Sequence, residues 1–99
     1  MRILDKIFEI KKAIFYKDKI YIKKKKKYIS KDDILFIYYA KWSFKNYFYH
    51  FNDPIIVPGF LIIFLKKRTF FKCGYSFRMK IEDVKKIPKS LCDKFEIRE

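Results

Sequence analysis

Five consecutive lysines, Lys23 to Lys27, stand between Ile20-Tyr21-Ile22 and Tyr28-Ile29. The flanking residues are β-branched and aromatic, the composition of a strand. An extended chain would send Lys23, Lys25 and Lys27 to one side and Lys24 and Lys26 to the other. Both sides of such a segment cannot be core, because an unpaired ammonium is costly to bury. The pattern predicts a strand over residues 19–29, exposed at a sheet edge or in a hairpin arm. Lysines on an edge also discourage strand-to-strand aggregation. Five in a row, joined by Lys66, Lys67, Arg68, Lys72, Arg78 and Lys80, exceed that need.

The net charge is +14 over 99 residues, so the whole surface favours a large anion. Nucleic acid is the first such partner, RNA ahead of DNA, and an anionic membrane surface is the next. The chain is one small domain. Its 51% hydrophobic and 21% aromatic content argues for a packed core and against disorder, despite the charge. The charged start, Met1 to Lys6, is unlike a signal peptide. The longest uncharged run, Pro54 to Leu65, is broken by Pro58-Gly59 and is short of the roughly 20 residues of a membrane span. A soluble, cytoplasmic protein is expected, with Cys73 and Cys92 as reduced thiols.

Ile3, Leu4, Ile7, Phe8, Ala13 and Ile14 recur at helical spacing, which predicts an amphipathic helix over residues 2–15. Ser30 precedes Asp33 as in a capping box. Ile34 to Phe51 is rich in Ile, Phe and Tyr, and Lys41 to Lys45 alternates, so two strands, 34–44 and 47–52, are favoured over one helix. Phe60 to Leu65 reads as a buried strand. Thr69 to Cys73 and Tyr75 to Ile81 read as a hairpin around Gly74. Glu82-Asp83 would open a C-terminal helix to about Phe95, kinked at Pro88. The expected fold is α+β: an N-terminal helix, a twisted antiparallel sheet of five to six strands, and a C-terminal helix.

For binding, the lysine run and Lys66-Lys67-Arg68 would contact phosphates, with Lys72 and Arg78 in support. Tyrosines interleave with the lysines. Tyr21, Tyr28 and Trp42 are the candidate base platforms, since single strands stack on aromatic rings. No cofactor or metal set is visible. His50, the only histidine, lies between Tyr49 and Phe51 and reads as structural. A small basic ribonuclease toxin remains an alternative, with Arg68, Lys72, Tyr75, Arg78 and His50 as its catalytic groups. A viral or lineage-specific nucleoprotein-binding protein and a PH-like lipid or protein scaffold are further alternatives.

Phe71-Lys72-Cys73, the alternation Tyr75-x-Phe77-x-Met79-x-Ile81, then Asp83 and Lys85 to Leu91 before Phe95-x-Ile97 form a pattern of their own. It resembles the tail of the eukaryote-type large-subunit ribosomal protein thirty-eight family. Residues 2–27 are similar to that family's N-terminal helix and basic strand. The resemblance implies an α+β protein that binds ribosomal RNA.

Overall fold

The computed structural model describes residues 6–53, 55–67 and 74–99. Its first third is a meander of four short strands: β1 (Lys6–Glu9), β2 (Ala13–Tyr16), β3 (Lys19–Ile22) and β4 (Lys27–Ser30). All neighbours are antiparallel. The helix expected over 2–15 is therefore replaced, among the described residues, by two strands. Lys11-Lys12 turns the chain, and the Ile10 N–H donates to the Ala13 carbonyl across it at 2.8 Å. Ala13 and Phe15 point inward while Ile14 and Tyr16 point outward, a period of two. Paired apolar residues fit both the helical and the strand period in so short a window, and the aromatic and β-branched content decides for strand.

The lysine run is not a strand either. β3 ends at Ile22, opposite Lys27 of β4, and Lys23 to Lys26 form the loop between them. The Lys26 N–H donates to the Lys23 carbonyl at 3.2 Å, and Lys26 itself is left-handed, with φ of 50°. Such a loop lets ammonium groups spread into water, whereas a paired strand would hold them side by side. A 3-10 turn, Lys31–Asp33, leads out of β4. Ser30 caps it, its Oγ accepting from the Asp32 N–H at 3.2 Å.

The second sheet has the order β7-β6-β5-β8, from β5 (Ile34–Ala40), β6 (Phe60–Leu65), β7 (Gly74–Arg78) and β8 (Phe95–Arg98). β8 runs parallel to β5, and the other neighbours are antiparallel. Two sheets of four strands thus replace the single sheet expected, while the mixed α+β content stands. The second strand expected at 47–52 is absent; its place is taken by helix α1 (Phe44–Tyr49). Ser43 starts that helix, its Oγ accepting from the Asn46 N–H at 3.1 Å, and this cap outweighs the strand preference of the aromatics. The C-terminal helix expected over 82–95 shrinks to one turn, α2 (Ile81–Val84), and a 3-10 turn, Lys89–Leu91. Pro88 stops helical propagation between them, and Phe95 and Ile97 alternate inward to make β8. β6 covers the apolar run as expected. The first arm of the hairpin around Gly74 lies outside the described residues.

Both sheets close on one core. Phe15 and Ile20 come from the first, and Ile37, Tyr39, Leu61 and Ile63 from the second; all six are almost fully buried. Each such side chain contributes about 1.5–3 kcal/mol by leaving water. Val84, Leu91 and the free thiol Cys92 seal one margin. Tyr38, between Ile37 and Tyr39, faces the other side of the second sheet. There His50, which ends α1, meets its phenol. The layers run from the open face of the first sheet, through the core, to α1.

Candidate nucleic-acid interface

Alternation in β2, β3 and β4 sends Phe15, Ile20, Ile22 and Ile29 inward. It leaves Tyr16, Lys19, Tyr21 and Tyr28 on the outer face. Tyr21 and Tyr28 are directly paired across the strands, with ring centroids 4.7 Å apart and planes tilted by 50°. Tyr16 approaches Tyr28 at 6.2 Å. The Lys19 ammonium lies 5.3 Å from the centre of the Tyr16 ring and 5.1 Å from that of Tyr28. Desolvation within this cluster, then the neighbouring Tyr28, pushes the Tyr16 phenol above its usual range. Tyr28 is 55% exposed, which leaves much of its ring open to a ligand.

The lysine loop rises from one end of this face. Lys23 is half-buried and its ammonium is held by Glu9, which also takes Lys6 at 3.0 Å. These two bonds, first that from Lys23, keep the Glu9 carboxyl below its usual range. Glu9 is thus already neutralised. Lys24, Lys25, Lys26 and Lys27 are exposed and make no ion pair among the described residues.

The remaining residues expected at the site are not gathered there. Lys66 and Lys67 are exposed beyond β6, where the Lys66 N–H bonds the Asp33 carbonyl. They therefore adjoin the turn that follows β4, at the end of the β3–β4 hairpin opposite the lysine loop. Trp42 and Arg78 belong to the second sheet's side, lining an open groove of about 900 Å³ with Lys41 and Lys80. Arg68 and Lys72 lie outside the described residues. His50 is buried, its Nε2 2.9 Å from the Tyr38 Oη, which agrees with a structural role. Two contributors were missed in the sequence, Lys19 and Tyr16. Reading residues 13–22 as a hairpin around Lys17-Asp18 is the signal that finds them.

Among the described residues, no group of His, Cys, Asp and Glu is placed to hold a metal, and no helix is long and apolar enough to cross a membrane. Compared with known proteins, the chain matches no family model, no curated protein and no solved structure. The functional reading therefore rests on the geometry above.

Proposed function

We propose that the open face of the first sheet binds single-stranded nucleic acid, RNA in the first place. The observation that carries this reading is one juxtaposition. Three tyrosines and Lys19 form a platform on the sheet, and four exposed lysines that make no ion pair among the described residues stand at its end. Stacking on aromatic rings supplies affinity without sequence preference, and lysines supply phosphate contacts. The bases of a duplex are not free to stack on such a face, so single strands suit it better. Lys26 adds support. A lysine in the left-handed region costs about 1–2 kcal/mol that glycine would avoid, so the loop keeps a cation where its backbone favours glycine.

The role is binding without catalysis. Its most specific form, a protein seated on ribosomal RNA, is the one implied by the sequence resemblance above, whose N-terminal helix and basic strand are two strands and a loop here. The test replaces Tyr21 or Tyr28 with Ala and measures affinity for a short single-stranded RNA and for a duplex. Each change is expected to weaken the single strand by about 1–3 kcal/mol and to leave duplex affinity unaltered. Equal affinity of wild type and variants for the single strand would remove the tyrosine platform from the account. Sedimentation with ribosomal particles, lost on replacing the loop lysines by Gln, is the expected outcome of the ribosomal form.

A further inference from the structure

Helix α1 is built inside out. Its inward residues are polar: Asn46 is 1% exposed and His50, at its end, is 9% exposed. Its outward residues Phe44 and Phe48, four apart on one face, are 76% and 68% exposed, and Phe51, in the turn just beyond the helix, is 66% exposed. A helix held by a globular core shows the reverse arrangement. Polar anchors fix this one in place. Asn46 Nδ2 donates to the Lys41 carbonyl at 2.7 Å, Arg98 Nε donates to Asn46 Oδ1 at 3.0 Å, and His50 is paired with Tyr38. Phenyl rings are thus projected into solvent by a helix fastened through hydrogen bonds. Trp42, Tyr47 and Tyr49 surround them, with Trp42 5.9 Å from Phe44 and Tyr47 5.6 Å from Phe48.

We infer that this face docks on an anionic lipid bilayer. An apolar patch of this size marks an interaction surface. Its chemistry is that of an interfacial anchor: phenylalanines to enter the acyl boundary, Trp and Tyr with polar tips for the headgroup level, and Lys41 and Lys45 at the margin for anionic phosphates. Charge selects the partner. A second copy would bring together two chains that each carry fourteen excess positive charges, whereas an anionic surface attracts the exposed lysines beside the patch, Lys41 and Lys45. The surface is separate from the tyrosine platform, from which the core and the second sheet divide it.

Trp42 is the only tryptophan, so the patch carries its own probe. Vesicles of equal parts phosphatidylcholine and phosphatidylserine are titrated into the protein while Trp42 emission is followed. A blue shift is expected with these vesicles and a much weaker one with phosphatidylcholine alone. The variant F44S/F48S/F51S alters exposed rings only and should lower vesicle partition by at least roughly tenfold. Its RNA affinity is expected to match wild type, which also shows that it folds. Four results would overturn the inference: no shift with either vesicle, equal partition of the triple variant, a shift on adding RNA in place of vesicles, or a concentration-dependent dimer abolished by the same three changes.

Discussion

Asn46 and Arg98 hold each other in a closed pair: the Arg98 Nε–H donates to Asn46 Oδ1 at 3.0 Å, and Asn46 Nδ2 donates to the Arg98 carbonyl at 3.4 Å. The guanidinium also lies over the Tyr49 ring, 3.6 Å from its centre. A buried amide on a six-residue helix thereby ties α1 to the end of β8, 52 residues away. The aromatic face of α1 depends on this tie for its position.

Replacing Asn46 by Ala leaves the Lys41 carbonyl and the Arg98 guanidinium without their buried partner. The expected loss is about 2–3 kcal/mol in urea unfolding. Phe48→Ser, on the opposite side of the same helix, is expected to change stability by less than about 0.5 kcal/mol. Equal effects of the two changes would contradict the inverted helix.

The lysine loop holds a residue in the wrong conformation for its type. Lys26→Gly removes the clash of a Cβ at positive φ, while adding freedom to the unfolded chain. A net gain of about 0.5–1 kcal/mol is expected, with weaker RNA binding. Urea midpoints of the two proteins decide the first part and an RNA titration the second.

Alkali should unfold the protein through its buried tyrosines. Burial pushes the phenols of Tyr38 and Tyr39 above their usual range, and Tyr39 donates to the Met79 carbonyl at 2.7 Å. A phenol whose folded pKa exceeds its unfolded value stabilises the fold fully below about pH 10, and that stability is lost as pH rises through the folded pKa. Tyr39→Phe should cost about 1 kcal/mol at neutral pH and lessen the alkaline loss. Urea unfolding across the alkaline range of both proteins measures the difference.

Gly74 opens β7 directly against β6. A Cβ there would overlap the Ile63 carbonyl oxygen, a backbone atom that cannot rotate away. Gly74→Ala should therefore cost about 3 kcal/mol and weaken the β6–β7 pairing. Hydrogen exchange at the β7 amides should show the same loss of protection.

Strongly patterned elements were legible in the sequence, as was the Ser30 cap, whereas the helix that Ser43 starts was not. Phe60 to Leu65 has only one strand reading, and it is a strand. Ile3 to Ile14 satisfied two periods at once, and the choice rested on pairing partners that a local window does not contain. Ser43 starts a helix with one hydroxyl, against a surrounding composition that favours strands. Tyr21 and Tyr28 were found because they flank the lysines. Lys19 and Tyr16 come to them through the register of β2 on β3, a tertiary fact. Phe44 and Phe48 point outward only because Ser43 starts a helix there, which a reading of residues 34–52 as strands does not contain.

The central claim, that the lysine loop and tyrosine face bind a nucleic-acid strand, is tested most directly by salt. Affinity for single-stranded RNA is measured from low to moderate ionic strength for wild type and for K24Q/K25Q/K26Q/K27Q. Each lost phosphate contact should reduce the slope of log affinity against log salt by about 0.7, so the variant should be shallower by about 2–3. A wild-type affinity independent of salt, or a slope unchanged in the variant, would contradict the account.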